Sequence, residues 1–291
     1  MTNHQTQWLE KLGSTLDRYD ALVLDQWGVL HNGQAPYPGV IAALDALQAA
    51  GKPFVILSNS GKRSGLNQQR LAALGFAADV CARILTSGEL TWRALAGHTD
   101  ELAGIADQTC FLISQPGETR LLDETDWQVT TIDKASVILV AGLPDQPSLA
   151  DYEPGLRQGL ERGLPLICAN LDFDALYGDA TIIGPGRLAQ WYEDQGGQVI
   201  RFGKPMANAF AGALAMVGQP APSRCLMVGD SLFHDIAGAA KAGLDTLLLT
   251  QGIHRAALAG HTTDTARMAA LSKLAEPTGV MPTYLMDSFV I

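Results

Sequence analysis

Polar side chains that could do chemistry follow the short apolar runs of this sequence. They comprise three carboxylates, two hydroxyls, one amide and one ammonium group: Asp25, Ser58, Asn59, Lys204, Asp230, Ser231 and Asp235. In open α/β sheets, ligands bind outside the carboxyl ends of the strands. If the apolar runs are strands of one doubly wound sheet, we expect these groups to meet at one edge of it.

These residue types fit the transfer of a phosphoryl group. A carboxylate such as Asp25 can accept the group and form an aspartyl-phosphate, and further carboxylates hold Mg²⁺, which prefers oxygen ligands. Hydroxyl, amide and backbone N–H groups at a helix start bind the non-bridging oxygens of phosphate. A lysine offsets the charge that the carboxylate and the phosphate share. Each residue alone could equally be a helix cap, a turn former or a solvated loop residue, so the hypothesis depends on their joint occurrence.

The elements that would position these residues alternate between strand-like and helix-like segments. Apolar runs predict buried strands at Ala21–Leu24, Phe54–Leu57, Leu226–Val228 and Thr246–Thr250. Helical spacing, with a glycine after each segment, predicts helices at Val40–Ala50, Leu66–Leu74, Ala207–Val217 and Leu232–Ala242. The capping-box pattern Thr86-Ser87-Gly88-Glu89 predicts one more helix start. Such alternation predicts an α/β fold with a mostly parallel sheet that is covered on both faces.

The middle of the chain is richer in turns and predicts a second domain. It has strand-like runs of its own at Cys110–Ile113, Val137–Val140 and Leu166–Ala169. We predict a smaller α/β domain at residues 105–199, inserted into a core made of residues 1–104 and 200–291. The two flanking segments have the same alternation of strands and helices and contribute to one candidate site. At the N-terminus, Trp8, Leu9, Leu12 and Leu16 suit one face of a short packing helix.

Composition argues against several functional classes. The 291 residues carry a net charge of −10 without a basic cluster, so we expect no nucleic-acid binding. No stretch approaches the roughly 18 consecutive apolar residues of a membrane span, and the N-terminus has no secretory signal pattern. The four cysteines form no CxxC pair and suit a core in a reducing compartment, so we expect a cytoplasmic protein.

Four motifs, in order, resemble those of the haloacid dehalogenase superfamily. They are Asp25-Gln26-Trp27-Gly28-Val29, Ser58-Asn59, Lys204-Pro205, and Gly229-Asp230-Ser231 with Asp235. The segment between the second and third motifs resembles a class II cap. The run Leu30-His31-Asn32-Gly33, with Pro38-Gly39, resembles the nitrophenylphosphatase-like class IIA branch. One motif alone is weak, but four at suitable spacings are specific, and the resemblance covers nearly the whole chain. It implies a Rossmann-like core.

The resemblance implies a role for each residue. Asp25 is the nucleophile and a metal ligand, and Lys204 orients the phosphate. The other Mg²⁺ ligands are Asp230, Asp235 and the backbone carbonyl of Trp27; the other phosphate-binding residues are Ser58, Asn59 and Ser231; Asn170 and Asp172 resemble a substrate loop of the cap. The implied activity is that of a Mg²⁺-dependent phosphatase acting on a small phosphorylated metabolite. Class II cap proteins often pair, so a homodimer is an open alternative to a monomer.

Trp27 departs from the pattern of the family. Its phosphatases carry a second aspartate there, which protonates the leaving oxygen and then activates water, and losing such a group typically costs about 10²–10⁴ in rate. A sub-branch with Asp-x-Trp-Gly-Val has the same change. His31 and His234 are candidate replacement acids. The alternative hypothesis is a non-catalytic protein that binds a phosphate ligand or regulates a partner; phosphotransferase or mutase chemistry is also open.

Overall fold

A computed structural model of the chain describes residues 6–105, 107–144, 147–177, 180–261 and 263–291. The chain forms two compact units. The first combines Met1–Ser58, Gln68–Leu85 and Ala209–Ile291, and the second combines Asn59–Asn67 and Thr86–Asn208. The domain boundaries at 105 and 199 stay a prediction, and the first five residues of the predicted core lie outside the described ranges.

Strands and helices alternate through most of the described residues. The strands are β1 (Gln7–Trp8), β2 (Ala21–Asp25), β3 (Phe54–Ser58), β4 (Ile84–Thr86), β5 (Thr109–Ile113), β6 (Gln128–Val129), β7 (Val137–Val140), β8 (Leu166–Cys168), β9 (Asp174–Tyr177), β10 (Ala180–Ile183), β11 (Val199–Arg201), β12 (Cys225–Gly229), β13 (Asp245–Leu249) and β14 (Tyr284–Met286). The α-helices are α1 (Val40–Ala49), α2 (Ser64–Ala73), α3 (Ala78–Cys81), α4 (Ser87–Leu95), α5 (Leu149–Glu161), α6 (Pro185–Asp194), α7 (Ala207–Met216), α8 (Gly238–Lys241), α9 (Arg255–Leu258) and α10 (Asp264–Ala275). Every helix among these residues is too short or too polar to cross a lipid bilayer.

The sheet of the first unit has the strand order β1-β14-β13-β12-β2-β3-β4. Strand β2 lies inside this sheet and pairs in parallel with β12 on one side and β3 on the other. From this point the chain proceeds outward in both directions, through β3 and β4 to one edge and through β13 and β14 towards the other. The switch point of the topology therefore lies between β2 and β12, and the predicted doubly wound α/β core is confirmed.

Both faces of this sheet are covered. Leu247 and Leu249 of β13 belong to one hydrophobic cluster, which includes Leu44 and Leu47 of α1. Leu248 belongs to a second cluster, which includes Leu271 of α10. Because successive side chains of a strand point to opposite faces, this division shows helices packed on both sides. Buried apolar runs without polar alternation are typical of such strands.

The second unit has its own α/β core. Five strands in the order β11-β8-β7-β5-β6 pair in parallel, and β9 and β10 form a separate antiparallel pair. Leu156 of α5 and Leu188 of α6 are fully buried against Ile138 and Leu166 of the sheet. The described residues thus confirm an α/β second unit.

Two predicted helices have another structure. The N-terminal apolar residues do not form a helix: Gln7 and Trp8 pair with β14, and a 3₁₀ helix follows at Gly13–Arg18. Pairing with β14 at the edge of the sheet satisfies the backbone hydrogen-bonding groups of these residues. The spacing of apolar residues carries no information about such a pairing. The segment predicted as one helix at Leu232–Ala242 begins as a π-helix at Leu232–Ala237 and continues as α8. Single π turns are frequent at functional sites.

Candidate active site

Three buried carboxylates meet beside the switch point of the sheet. Asp25 is the last residue of β2, Asp230 directly follows β12, and Asp235 lies in the π-helix. Their exposed fractions are 8%, 8% and 1%, and one oxygen from each lies within 4.8 Å of those of the other two. We call this group the carboxylate cluster.

Local hydrogen bonds form the loop that carries two of these carboxylates. Oδ2 of Asp235 accepts from the backbone N–H groups of Asp230 and Ser231, at 3.0 Å each. The Ser231 hydroxyl accepts from the N–H of His234 at 3.1 Å, which caps the start of the π-helix. Asp235 therefore anchors the loop as well as contributing charge to the carboxylate cluster. The structure places Ser231, a predicted phosphate-binding residue, on the same loop.

Gly28 lies against Asp230. It has a φ of +77°, and a Cβ built on it would be 1.9 Å from Oδ2 of Asp230. Any side chain would therefore both strain the backbone and displace the carboxylate. Glycine at position 28 of the Asp25-Gln26-Trp27-Gly28-Val29 motif is thus required by the packing of the carboxylate cluster.

The carboxylate cluster fits a small divalent cation. Three like charges buried together need a counter-charge, because transfer of an ionised carboxylate from water into the protein interior is costly. Mg²⁺ takes oxygen ligands at about 2.0–2.1 Å in an octahedron, so two of its ligands lie at most about 4.2 Å apart. Oxygens already within 4.8 Å need only a small adjustment to share one ion.

Trp27 is held on the surface of the first unit by three contacts. The guanidinium carbon of Arg70 lies 4.5 Å from the centre of its ring, and the His31 ring meets it edge-on at 4.9 Å. A Cβ on Gly33 would be 2.5 Å from the indole, so this glycine makes room for it. The indole is still 38% exposed. Trp27 is thus an ordered side chain two residues after the proposed nucleophile, and it has no acidic proton to donate.

His31 is unsuited to replace the missing acid. It is completely buried, and burial, with a smaller contribution from Arg70, lowers the pKa of its imidazole to about 4. Its Nδ1 accepts from the N–H of Gly33 at 3.0 Å, so the proton of the neutral ring lies on Nε2, which faces the Gln26 amide at 3.1 Å. With Gln26 turned so that Oε1 accepts this proton, both groups are satisfied.

His234 is half-buried, and its Nδ1 lies 3.2 Å from the Ser231 hydroxyl. Of the two predicted replacement acids, it is the one whose ring is on the loop that carries Asp230 and Asp235.

Within the second unit, Asn59 holds the backbone at Lys204. Its Oδ1 accepts from the N–H of Lys204 at 2.7 Å and from the Ser87 hydroxyl at 3.2 Å. Its Nδ2 donates to the Lys204 carbonyl and to Oδ1 of Asp172, at 2.9 Å each. Four hydrogen bonds thus occupy the side chain of Asn59, and its predicted contact with phosphate stays a prediction. Lys204 is only 2% exposed.

The other predicted residues have clear positions. Ser58 is the last residue of β3 and is buried in the first unit. In the second unit, Oδ1 of Asn170 accepts from the N–H of Asp172 at 2.9 Å, which forms a tight turn after β8. Because Asp172 also accepts from Asn59, it is tied to the second motif. Its predicted contact with a substrate, and that of Asn170, stay predictions.

Two contributors to this chemistry were missed at the level of sequence. Ser87 supports Asn59, but its sequence signal was read only as part of a helix start. Thr86 does cap α4, with its hydroxyl accepting from Glu89 N–H at 3.0 Å, whereas the Glu89 carboxylate binds Arg63 instead of closing a capping box. The backbone N–H of Ile253 donates to Oδ2 of Asp230 at 2.8 Å; a contact made by the main chain has no residue signature.

Comparison with known proteins assigns the chain to one family of hydrolases. Residues 22–128 match the family model of haloacid dehalogenase-like hydrolases, and residues 201–277 match a model described as HAD-hydrolase-like. A curated relative, the glycerol-3-phosphate phosphatase of Gallus gallus, is 28% identical over 302 residues, covering 96% of this chain and 92% of the relative.

Solved structures agree along nearly the whole chain. The p-nitrophenyl phosphatase from Archaeoglobus fulgidus has a TM-score of 0.72 at 23% identity, covering 93% of this chain and 96% of its own, and so shows the same fold. A haloacid dehalogenase-like hydrolase from Brucella suis 1330 is 30% identical, with a TM-score of 0.81, over 97% of this chain and 100% of its own. With this relative and both matching family models, the chain belongs to the haloacid dehalogenase-like hydrolases, and its structural neighbours are of the nitrophenylphosphatase-like class IIA type.

Proposed function

We propose that this protein is a Mg²⁺-dependent phosphatase that hydrolyses a small phosphorylated metabolite through an aspartyl-phosphate on Asp25. The observation that carries the proposal is the carboxylate cluster, which has the charge, burial and spacing of a cation site. Its position at the topological switch point is where open α/β sheets bind ligands. The relative from Gallus gallus is a glycerol-3-phosphate phosphatase, which is consistent with a small substrate.

The proposed reaction assigns one role to each group. A carboxylate oxygen of Asp25 attacks phosphorus and the leaving oxygen departs with the electron pair; water then hydrolyses the acyl phosphate and restores Asp25. Asp25, Asp230, Asp235 and the Trp27 carbonyl would hold Mg²⁺, which lowers the repulsion between carboxylate and phosphate. The proposed phosphate-binding groups are Ser58, the Asn59 backbone, Ser231 and Lys204. The buried ammonium of Lys204 supplies positive charge, and Asn59 fixes the backbone that carries it.

The test compares a buried aspartate, Asp25, with an exposed one, Asp45. Asp25→Asn should abolish turnover of p-nitrophenyl phosphate and should leave no phosphorylated protein in rapid quench with ³²P-labelled substrate. Asp45→Asn, on the exposed face of α1, removes the same charge and should change neither. Chelation by EDTA should silence the enzyme, and Mg²⁺ should restore it. Activity in Asp25→Asn close to that of the unaltered protein would refute the covalent mechanism.

A second candidate function rests on Trp27. A protein that kept the carboxylate cluster but lost the acid could bind a phosphate ligand without turning it over, and so serve as a sensor or regulatory subunit. Aryl phosphates separate the two candidates, because their leaving groups need little protonation. If no aryl phosphate phosphorylates Asp25 while vanadate still binds in the presence of Mg²⁺, the non-catalytic function is correct.

The four cysteines also bear on the setting in which this chemistry occurs. All four are buried and none forms a disulfide, and burial raises the pKa of Cys110 and Cys168 to about 12. Four cysteines without a disulfide support the proposed cytoplasmic location. Because thiols of high pKa are poor nucleophiles, we propose no catalytic role for them.

A further inference from the structure

A cavity of about 290 Å³ opens in the first unit at the carboxyl ends of β13 and β14, on the side of the sheet where β1 forms the edge. We call it the edge cavity. Leu258, Leu271 and Leu285 form a buried apolar floor, and Trp8 forms one wall. The three residues of the carboxylate cluster are not among the described residues that line it. Its volume is just below the range of about 300–1,000 Å³ that is usual for small-molecule sites, which suits a small ligand.

Arg267 presents a fixed positive charge to the edge cavity. Its guanidinium carbon lies 4.8 Å from the centre of the Trp8 ring, and its Nε donates to the carbonyl of His261 at 2.8 Å. The hydrogen bond uses Nε, the nitrogen of the guanidinium nearest the backbone. Among the hydrogen bonds and ion pairs of the described residues, none involves Nη1 or Nη2 of Arg267. These two donors are therefore held in place without a partner in that part of the chain.

A second guanidinium, that of Arg255, also lines the edge cavity. In the described part of the chain, neither arginine forms an ion pair, whereas Arg63, Arg201 and Arg224 all pair with carboxylates. The carboxylate in the described lining, Asp287, accepts a hydrogen bond from the Thr250 hydroxyl at 2.8 Å. Two arginines without ion pairs in the described part of the chain therefore line a cavity with an apolar floor.

This combination selects one class of ligand. A guanidinium binds a carboxylate or phosphoryl group through two parallel hydrogen bonds, and the leucine floor favours an apolar body. A neutral apolar molecule would leave the guanidinium donors unused, and a bare inorganic anion would leave the floor unused. The ligand that fits both is a small organic anion with a short apolar or aromatic body.

The segment that lines the edge cavity also contacts the candidate active site. Gln251 lines the cavity and donates through Nε2 to the carbonyls of Gly28 and Val29, at 3.2 and 3.4 Å. Two residues on, the N–H of Ile253 donates to Asp230. Between them, a Cβ on Gly252 would be 2.1 Å from Oδ2 of Asp230. A displacement of this segment therefore moves atoms that touch a member of the carboxylate cluster.

We propose that the edge cavity is a regulatory site for a small organic anion, and that its occupancy is coupled to the carboxylate cluster through residues 251–255. The ligand bridges Arg267 and Arg255 and stabilises the segment in one position. Because coupling between two sites is reciprocal, cation binding at the carboxylate cluster and anion binding in the edge cavity alter each other by the same factor.

The first experiment measures binding without any reaction. ¹⁹F NMR titration of the full chain with 4-fluorobenzoate should give saturable binding, and Arg267→Gln should weaken it at least about tenfold, because a charge-assisted hydrogen bond is lost. The matched control is Arg157→Gln, which removes another arginine stacked on a tryptophan, in the second unit, and should leave binding unchanged. Uncharged 4-fluorobenzyl alcohol should bind at least about tenfold more weakly than 4-fluorobenzoate. Equal binding to Arg267→Gln and the unaltered protein would overturn the assignment.

Displacement of 4-fluorobenzoate distinguishes the two anionic groups. Stronger displacement by phenylphosphonate than by benzoate, lost in Arg267→Gln, assigns the site to phosphoryl compounds, and the reverse order assigns it to carboxylates. Displacement that is unaffected by Arg267→Gln contradicts both.

The second experiment measures the coupling. Mg²⁺ is titrated by calorimetry in the absence and presence of saturating 4-fluorobenzoate, and the Kd for Mg²⁺ should change at least about threefold, with an equal reciprocal change for 4-fluorobenzoate. An unchanged Kd would overturn the regulatory role. If Mg²⁺ fails to bind at all, the proposed function fails, whereas the ¹⁹F titration still decides whether the edge cavity binds anions.

Discussion

Replacing Trp27 by aspartate should speed the hydrolysis of alkyl phosphates much more than that of aryl phosphates. In the unaltered protein the indole cannot protonate a leaving oxygen, and the buried, neutral His31 cannot either. An alkoxide leaves poorly without a proton, whereas a nitrophenolate needs none. The rate of phosphoryl transfer to Asp25 should therefore fall steeply as the pKa of the leaving group rises.

The contacts of Trp27 set the size of both effects. The variant loses a cation–π contact with Arg70, worth about 0.5–1 kcal/mol at an exposed site, and an edge-on contact with His31, worth about 0.5–1.5 kcal/mol. A loss of about 1–2.5 kcal/mol is tolerable for a domain stable by about 5–15 kcal/mol. A general acid supplies about 10²–10⁴ in rate, or about 3–5 kcal/mol of barrier. The gain for alkyl substrates should thus exceed the loss of stability.

The assay is single-turnover phosphorylation of Asp25 across a series of phosphate monoesters of rising leaving-group pKa. Trp27→Asp should accelerate glycerol 3-phosphate at least about 100-fold and p-nitrophenyl phosphate less than about tenfold. The matched control is Trp27→Asn, which removes the same ring contacts. Asparagine has the size of aspartate but no acidic proton. It should keep the steep dependence of the unaltered protein.

Two results would refute this reasoning. If Trp27→Asn accelerates alkyl substrates as much as Trp27→Asp, the effect comes from removing the indole and not from adding an acid. If the unaltered protein already shows a flat dependence, a proton donor is present, and His234→Ala then tests the half-buried histidine beside Ser231.

Three further perturbations test individual parts of the site. Gly28→Ala should abolish Mg²⁺ binding in calorimetry, because its Cβ would lie 1.9 Å from Asp230. The control Gly39→Ala has a similar φ of +82° and no atom within 4 Å of its Cβ, so it should only lower the free energy of unfolding, by about 1–2 kcal/mol. Retained Mg²⁺ binding in Gly28→Ala would contradict the assigned contact. Lys204→Ala should weaken vanadate binding by several kcal/mol, since the ammonium is buried; equal vanadate affinity would remove Lys204 from the site. The pKa of His31, about 4 in the fold, lies below about 6.5 in the unfolded chain, so the unfolded chain binds more protons between these values. The free energy of unfolding should therefore fall by up to about 3 kcal/mol as pH decreases from 6.5 to 4, and urea unfolding at pH 7 and 4.5 should show a smaller fall in His31→Asn.

The central strands and the residues at their ends were predictable from the sequence. The run Ala21–Leu24 became β2 with one more residue, Asp25, and Val137–Val140 became β7 unchanged. Continuous apolar runs bounded by polar residues are a strong signal for a strand that is buried on both faces. The order of the motifs then placed Asp25 and Asp230 at neighbouring strand ends.

The contacts that support these residues were not predictable in the same way. The side chain of Asn59 binds Ser87, Asp172 and Lys204, which follow it in the sequence by 28, 113 and 145 positions. No local sequence pattern encodes pairs at such separations. The contact from Ile253 to Asp230 uses a backbone N–H, which every residue except proline has. The pairing of β1 with β14 joins the two ends of the chain, whereas helical spacing describes only near neighbours.

The hydrogen bonds of Asn59 also set when the phosphate site can form during synthesis. Lys204 leaves the ribosome 145 residues after Asn59, and closing so long a loop has an entropic cost that only the assembled second unit can offset. A nascent or partly folded chain therefore has the proposed nucleophile, Asp25, long before it has a fixed lysine. The amide proton of Lys204 should therefore acquire protection from hydrogen exchange only once the second unit has assembled.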